Sequence, residues 1–419
     1  MCPRRDLIRE YFTPEIHEDA VNEFTSELSK RLDDIRRQDL YRELRRVGSA
    51  QSSHIQIDGQ PLLNFSSNDY LGLANHPLLK EAAIKAVERF GSGTGASRLI
   101  CGSLAPHHEL ERALASFKNT EAALSFSSGY AAAVGTICAL SGKDDIIVID
   151  KLVHACVVDA ARLSGAKLRV YAHNDLNELE DILRWANTRA ISPEQSRPRT
   201  LVVTESVFSM DGDVAPLGEL VQLKEKYGAW LMVDEAHATG LFGKYRRGVA
   251  EESNVAGQIE IQMGTLGKAV GAAGGYVCGP KVLIDFLINR ARTFIFSTAP
   301  VTAAAAAAQA GIEIIQSTEG HSRCDKLWSN IGKVKDDLGK AGWPLVAGRS
   351  AIIPLILGDE ARAMGAAKAM REQGIFIPAV RFPTVARGEA RLRLTLSAAH
   401  TEVELNTLLR TLTGIICNA

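Results

Sequence analysis

Between Gly72 and Pro300 the chain alternates short apolar runs with helical stretches, an order that few folds can accommodate. The apolar runs are Ala122 to Phe126, Asp145 to Ile149, Leu168 to Tyr171, Thr200 to Thr204, Trp230 to Val233, Ile259 to Met263 and Gly275 to Cys278. Each is short enough to be one buried strand. Segments such as Glu178 to Ala186 and Leu217 to Lys226 have helical spacing and fall between them. Strands joined through helical crossovers pair in parallel, so the spacing predicts an α/β fold with a mostly parallel sheet flanked by helices. In such sheets ligands bind at the carboxyl ends of the strands.

The flanks read differently. Residues from about Pro14 to Val47 are highly charged and helical in pattern, with Leu28, Leu32, Ile35, Leu40 and Leu44 as a loose apolar stripe. Ile55 to Ile57 and Leu62 to Phe65, joined through Asp58-Gly59, read as a hairpin. After Pro300 the alanines 303 to 308 begin a strong helix former. Beyond it Ile352 to Leu357 and Arg391 to Leu396 read as strands, and Ala361 to Gln373 and Glu402 to Leu412 as helices. The expected division is an N-terminal helical arm and hairpin over 1–70, a large α/β domain over 71–300 and a smaller C-terminal α+β domain over 301–419.

Composition narrows the function classes. A net charge of −1 gives no general affinity for nucleic acid or anionic membrane. Seven scattered cysteines without a CxxC spacing favour reduced thiols over a disulfide framework or a zinc site. No apolar run is long enough for a membrane span. The N-terminal acids Asp6, Glu10, Glu15, Glu18 and Asp19 argue against a transit peptide, so a cytoplasmic protein is expected.

Two strand ends carry the chemistry. Ala229 to Val233 leads to Asp234-Glu235-Ala236-His237, and Ile259 to Met263 leads to Gly264-Thr265-Leu266-Gly267-Lys268. A lysine amine can form a Schiff base with an aldehyde, and a buried aspartate can keep a pyridine nitrogen protonated. Together they suggest pyridoxal 5'-phosphate (PLP). The glycines and alanines around Lys268 let backbone approach a flat ligand. Thr265 and the segment Ser128-Gly129-Tyr130, at a strand-to-helix turn, are candidates for the phosphate side. His154 could stack on the ring, and His237 and Ser209 could reach its hydroxyl. Arg391 and Arg393 share a strand face, where a guanidinium could grip a substrate carboxylate. Each feature alone has an ordinary structural alternative: an N-cap, a polar turn or a surface charge. Gly91-Ser92-Gly93-Thr94-Gly95 follows a helical pattern instead of a strand, which speaks against dinucleotide binding.

In this order the motifs resemble the α-oxoamine synthases, PLP enzymes of fold type I. The matching segments are Asn64 to Gly72, Ala96-Ser97-Arg98 with Gly102, Thr204 to Gly212, Asp234 to Gly240, Gly264 to Lys268 and Phe296-Ser297-Thr298. The tail Arg381-Phe382-Pro383-Thr384-Val385, followed by Ala390 to His400, points within the family to the condensation of L-alanine with a pimeloyl thioester. The donor thiol is coenzyme A or acyl carrier protein. Condensation of glycine with acetyl-CoA, or another acyl donor, is the alternative. The resemblance implies that Lys268 carries the cofactor and later removes the α-proton. It pairs Asp234 with the pyridine nitrogen and gives His154, His237 and Ser209 the ring contacts. Ser128, Gly129, Tyr130 and Thr265 take the phosphate side. Ser297 and Thr298 come from the neighbouring subunit of a homodimer. Arg45, Asn68, His154, Thr384 and Arg393 contact substrate, and no metal is expected.

Overall fold

The structure, a computed structural model, describes residues 15–38, 40–188 and 198–416. Contacts divide the chain into two compact units, one ending at Val47 and one beginning at Gly48. In the first, a helix covers Glu15–Arg37. It is shorter than its sequence pattern suggests: Leu40 N–H reaches back to Ile35 O in a closing turn, and residues 40–46 are irregular. Leu44 is fully exposed.

The second unit is built on a seven-stranded sheet. Strands β1 (His54–Ile57) and β2 (Gln60–Asn64) form the expected hairpin. Its turn residues Asp58 and Gly59 have φ of 53° and 83°, the left-handed pair that a two-residue hairpin loop demands. The central strands are β3 (Ala122–Phe126), β4 (Ile146–Asp150), β5 (Lys167–Tyr171), β6 (Thr200–Glu205), β7 (Trp230–Asp234), β8 (Ile261–Thr265) and β9 (Gly275–Gly279). Their spatial order is β3-β9-β8-β7-β6-β4-β5, and β9 alone runs against the others. Alternate residues enter two separate cores: Ile146, Val148, Val202 and Leu231 on one face, Ile147, Ile149, Val203 and Met232 on the other. Burial on both faces is why these strands read as continuous apolar runs.

One strand differs from its sequence pattern. Ile259 closes a turn over Ala256–Gln258 instead of starting β8, so β8 runs two residues later and includes Gly264 and Thr265. The antiparallel ladder to β9, with Thr265 opposite Gly275, supplies hydrogen bonds that carry it that far. Strands β10 (Ile352–Gly358), β12 (Ala379–Val380) and β13 (Ala390–Thr395) form a small antiparallel sheet, while β11 (Ile375–Phe376) joins the N-terminal hairpin. Among the described residues no helix is long and apolar enough to cross a membrane.

Candidate active site

Three strand ends converge at one edge of the sheet. Parallel register sets Glu205, the last residue of β6, beside Asp234, the last residue of β7. Asp234 in turn lies opposite Met263 of β8, whose continuation carries Lys268. β4 ends at Asp150, and His154 follows as the N-cap of the helix Ala155–Ser164.

Lys268 Nζ lies 2.7 Å from His237 Nε2, and His237 Nδ1 lies 2.5 Å from Tyr70 Oη. Tyr70 donates to Asn68 Oδ1 at 3.2 Å, which also accepts from Arg393 Nη1 at 3.2 Å. Arg393 Nε donates to the Ser209 carbonyl at 2.7 Å. One continuous chain of polar contacts thus links Lys268, His237, Asn68, Arg393 and Ser209. His154 feels the charges of both Asp234 and Lys268. Its Nδ1 accepts from Cys156 N–H, which is the N-cap alternative, while the residue stays exposed.

Burial shapes the electrostatics. It pulls the Lys268 ammonium down to a pKa of about 8, against the opposing pull of Asp234 and Glu205. Burial also raises both carboxyls, Asp234 with Lys268 pulling back and Glu205 to about 8 with Asp234 adding to it. Two buried acids side by side cannot both ionise cheaply unless a cation meets them. Asp234 Oδ1 accepts from Ala236 N–H at 2.9 Å, and its other oxygen has no partner among the described residues. A protonated pyridine nitrogen would supply one.

The helix Gly129–Leu140 starts beside the same edge, with Ser128 Oγ as its N-cap. Gly275 lets it approach closely: a Cβ there would sit 2.5 Å from Ser128 O and 2.6 Å from Gly129 N. Thr265 packs against Gly129, and its hydroxyl donates to Gly274 O and accepts from Gly267 N–H. A helix start of this kind suits an anionic group. The amine, the unpartnered carboxylate oxygen and the helix start together fit PLP.

Other expected residues are placed as follows. Tyr130 is half-exposed and donates to Asp159. Thr298 bridges Ser97, with Ser297 next to it in the chain. Thr384 is exposed in a turn after β12. Arg45 is exposed in the first unit. Arg391 pairs with Asp211 and Glu389, which commits it to structure.

The chain is 45% identical to 8-amino-7-oxononanoate synthase of Geobacter sulfurreducens over 91% of its length and 95% of that protein. Among solved structures, a serine palmitoyltransferase from S. paucimobilis with a bound PLP–myriocin aldimine superposes with a TM-score of 0.85 at 30% identity, covering 93% of this chain and 96% of that one. An 8-amino-7-oxononanoate synthase from Francisella tularensis gives 0.72 at 27%, covering 85% and 98%. A family model described as aminotransferase class I and II matches residues 60–412. The chain belongs to the class I and II aminotransferase family, in its α-oxoamine synthase branch.

In this α-oxoamine synthase two residues at the site went unassigned in the sequence, Tyr70 and Glu205. Both lie inside segments that carry the family resemblance. For Glu205 the available signal was a charge after the apolar run Leu201 to Val203, whereas Tyr70 follows the polar Ser66 to Asp69 and only the fold shows what it faces.

Proposed function

We propose that the enzyme condenses L-alanine with a pimeloyl thioester, giving 8-amino-7-oxononanoate, carbon dioxide and free thiol in biotin biosynthesis. The observation that carries this reading is the 45% identity, over 91% of the chain, to a protein named for that product. The higher TM-score with serine palmitoyltransferase favours a longer acyl donor. A TM-score measures backbone similarity, whereas acyl preference lies in side chains, so the sequence identity weighs more.

The cofactor is PLP. Bound, it supplies an aldehyde to hold the amino acid and a pyridinium that draws electrons from its α-carbon. Asp234 holds the ring nitrogen through its unpartnered oxygen. His154 covers the ring face, and His237 and Ser209 address the ring hydroxyl. Ser128, Gly129, Tyr130 and Thr265 receive the phosphate, with Ser297 and Thr298 of a second subunit completing that side. Arg393, steadied by the Ser209 carbonyl and Asn68, grips the carboxylate of alanine. Arg45 and Thr384 contact substrate. Lys268 has a pKa of about 8, so it exchanges between amine and ammonium near neutral pH. It can therefore take the α-proton and later return one.

A cytoplasmic homodimer is the form we propose. Ile100 and Phe296 support it: both are large, apolar and exposed, close in sequence to the two ends of the Ser97–Thr298 bridge. Lys268→Ala should abolish turnover while the circular-dichroism spectrum stays that of the parent. Undiminished turnover by that variant would overturn the assignment.

A further inference from the structure

Arg393 at one end and the Lys268 ammonium at the other together set the direction of the hydrogen bonds between them. A guanidinium has donors and no acceptor. Its Nη1 lies 3.2 Å from Asn68 Oδ1, so the amide atom facing it is oxygen. Tyr70 Oη lies 3.2 Å from that same oxygen and donates its single proton there. What Tyr70 offers to His237 Nδ1, at 2.5 Å, is then a lone pair, so Nδ1 carries hydrogen. A neutral imidazole has one N–H, which leaves Nε2 as an acceptor toward Lys268 Nζ at 2.7 Å.

The opposite wiring would set an Nε2–H against the lysine ammonium, donor against donor. A doubly protonated ring meets the same conflict. Tyr70 and His237 are 1% and 5% exposed, and among the described residues no carboxylate hydrogen-bonds to His237. Burial, then the charges of Lys268 and Arg393, hold the imidazole well below its ordinary pKa. Burial also raises the Tyr70 phenol to about 12, so it remains a donor at neutral pH.

We propose that Tyr70 is a positioning residue: its hydroxyl locks His237 in the Nδ1–H form, so that Nε2 is an acceptor, which aims the Lys268 amine before PLP is bound and accepts from the ring hydroxyl afterwards. The proposal rests on the catalytic reading of Lys268 given above. Tyr70→Phe keeps the buried ring and removes only the hydroxyl.

The test uses the full-length protein in two states. Loaded with PLP and supplied with L-alanine and pimeloyl-CoA, Tyr70→Phe should lose kcat by about tenfold or more, with KM for alanine changed by less than about threefold. 3-Fluorotyrosine at position 70 keeps the hydroxyl and should restore kcat. Before PLP is added, nitrogen-15 spectra of labelled histidine should show His237 protonated at Nδ1 in the parent and as a mixture in Tyr70→Phe. A parent spectrum with the proton on Nε2 would overturn the proposal, as would a Tyr70→Phe enzyme with kcat within about twofold of the parent. If Tyr70→Phe does not fold, the parent spectrum and the fluorotyrosine enzyme still decide. If the parent makes no product from these substrates, the functional reading fails, while the histidine spectrum continues to test Tyr70.

Discussion

Lys118→Met should destabilise the enzyme by about 3–5 kcal/mol, because it leaves a buried carboxylate without its cation. Lys118 and Glu235 are 1% and 0% exposed and form an ion pair in which Lys118 also donates to Arg247 O. The other Glu235 oxygen accepts from Ala250 N–H at 2.8 Å. Methionine keeps an unbranched flexible chain only one heavy atom shorter than lysine, so packing changes little and the loss is mainly electrostatic. A second change, Glu235→Gln, keeps an acceptor for Ala250 and removes the stranded charge. The double variant should regain more than half of the loss, since replacing both partners of a buried pair is often close to neutral. Glu235 follows Asp234 directly, so the single variant should also bind PLP more weakly. Urea unfolding followed by tryptophan fluorescence of the parent, both single variants and the double variant gives the coupling energy. A cost below about 1 kcal/mol for Lys118→Met, or a double variant no better than the single, would refute the reasoning.

Two further outcomes follow from geometry near the site. His173 lies between Asp150 (3.0 Å) and Asp213 (2.8 Å); burial alone would lower its pKa, but the two carboxylates override it and push it up to about 10. Its folded-state value exceeds the unfolded value of about 6.5, so its contribution is fully present below that pH and is lost as pH rises through about 10. The stability advantage of the parent over His173→Gln should therefore be largest near pH 6 and shrink toward pH 10 in urea unfolding. An advantage that grows with pH would contradict this sign. Gly275→Ala places a methyl against the backbone of Ser128 and Gly129, costing about 1–3 kcal/mol and weakening PLP binding, which a fluorescence titration would show.

Much of the fold was legible because β4, β6 and β7 are buried on both faces and so read as apolar runs up to the acids at their carboxyl ends. Asp234 and Lys268 were legible for the converse reason, since charged groups at the ends of apolar strands need a partner. The start of β8 was misplaced because Ile259 is equally apolar in a turn, and only the ladder to β9 distinguishes the two. The helix end at Arg37 was misplaced because residues beyond it keep apolar spacing without packing. Tyr70 could not be assigned from sequence: its partner His237 is 167 positions away, and a phenol gives no local sign of whether it donates or accepts.

The most direct test of the functional account is thiol release by the PLP-loaded enzyme. L-Alanine, glycine and L-serine would each be paired with pimeloyl-CoA, acetyl-CoA and palmitoyl-CoA, and L-alanine also with pimeloyl-acyl carrier protein. The account predicts release with L-alanine and a pimeloyl donor, together with carbon dioxide and 8-amino-7-oxononanoate. Release confined to glycine with acetyl-CoA, or to L-serine with palmitoyl-CoA, would contradict it.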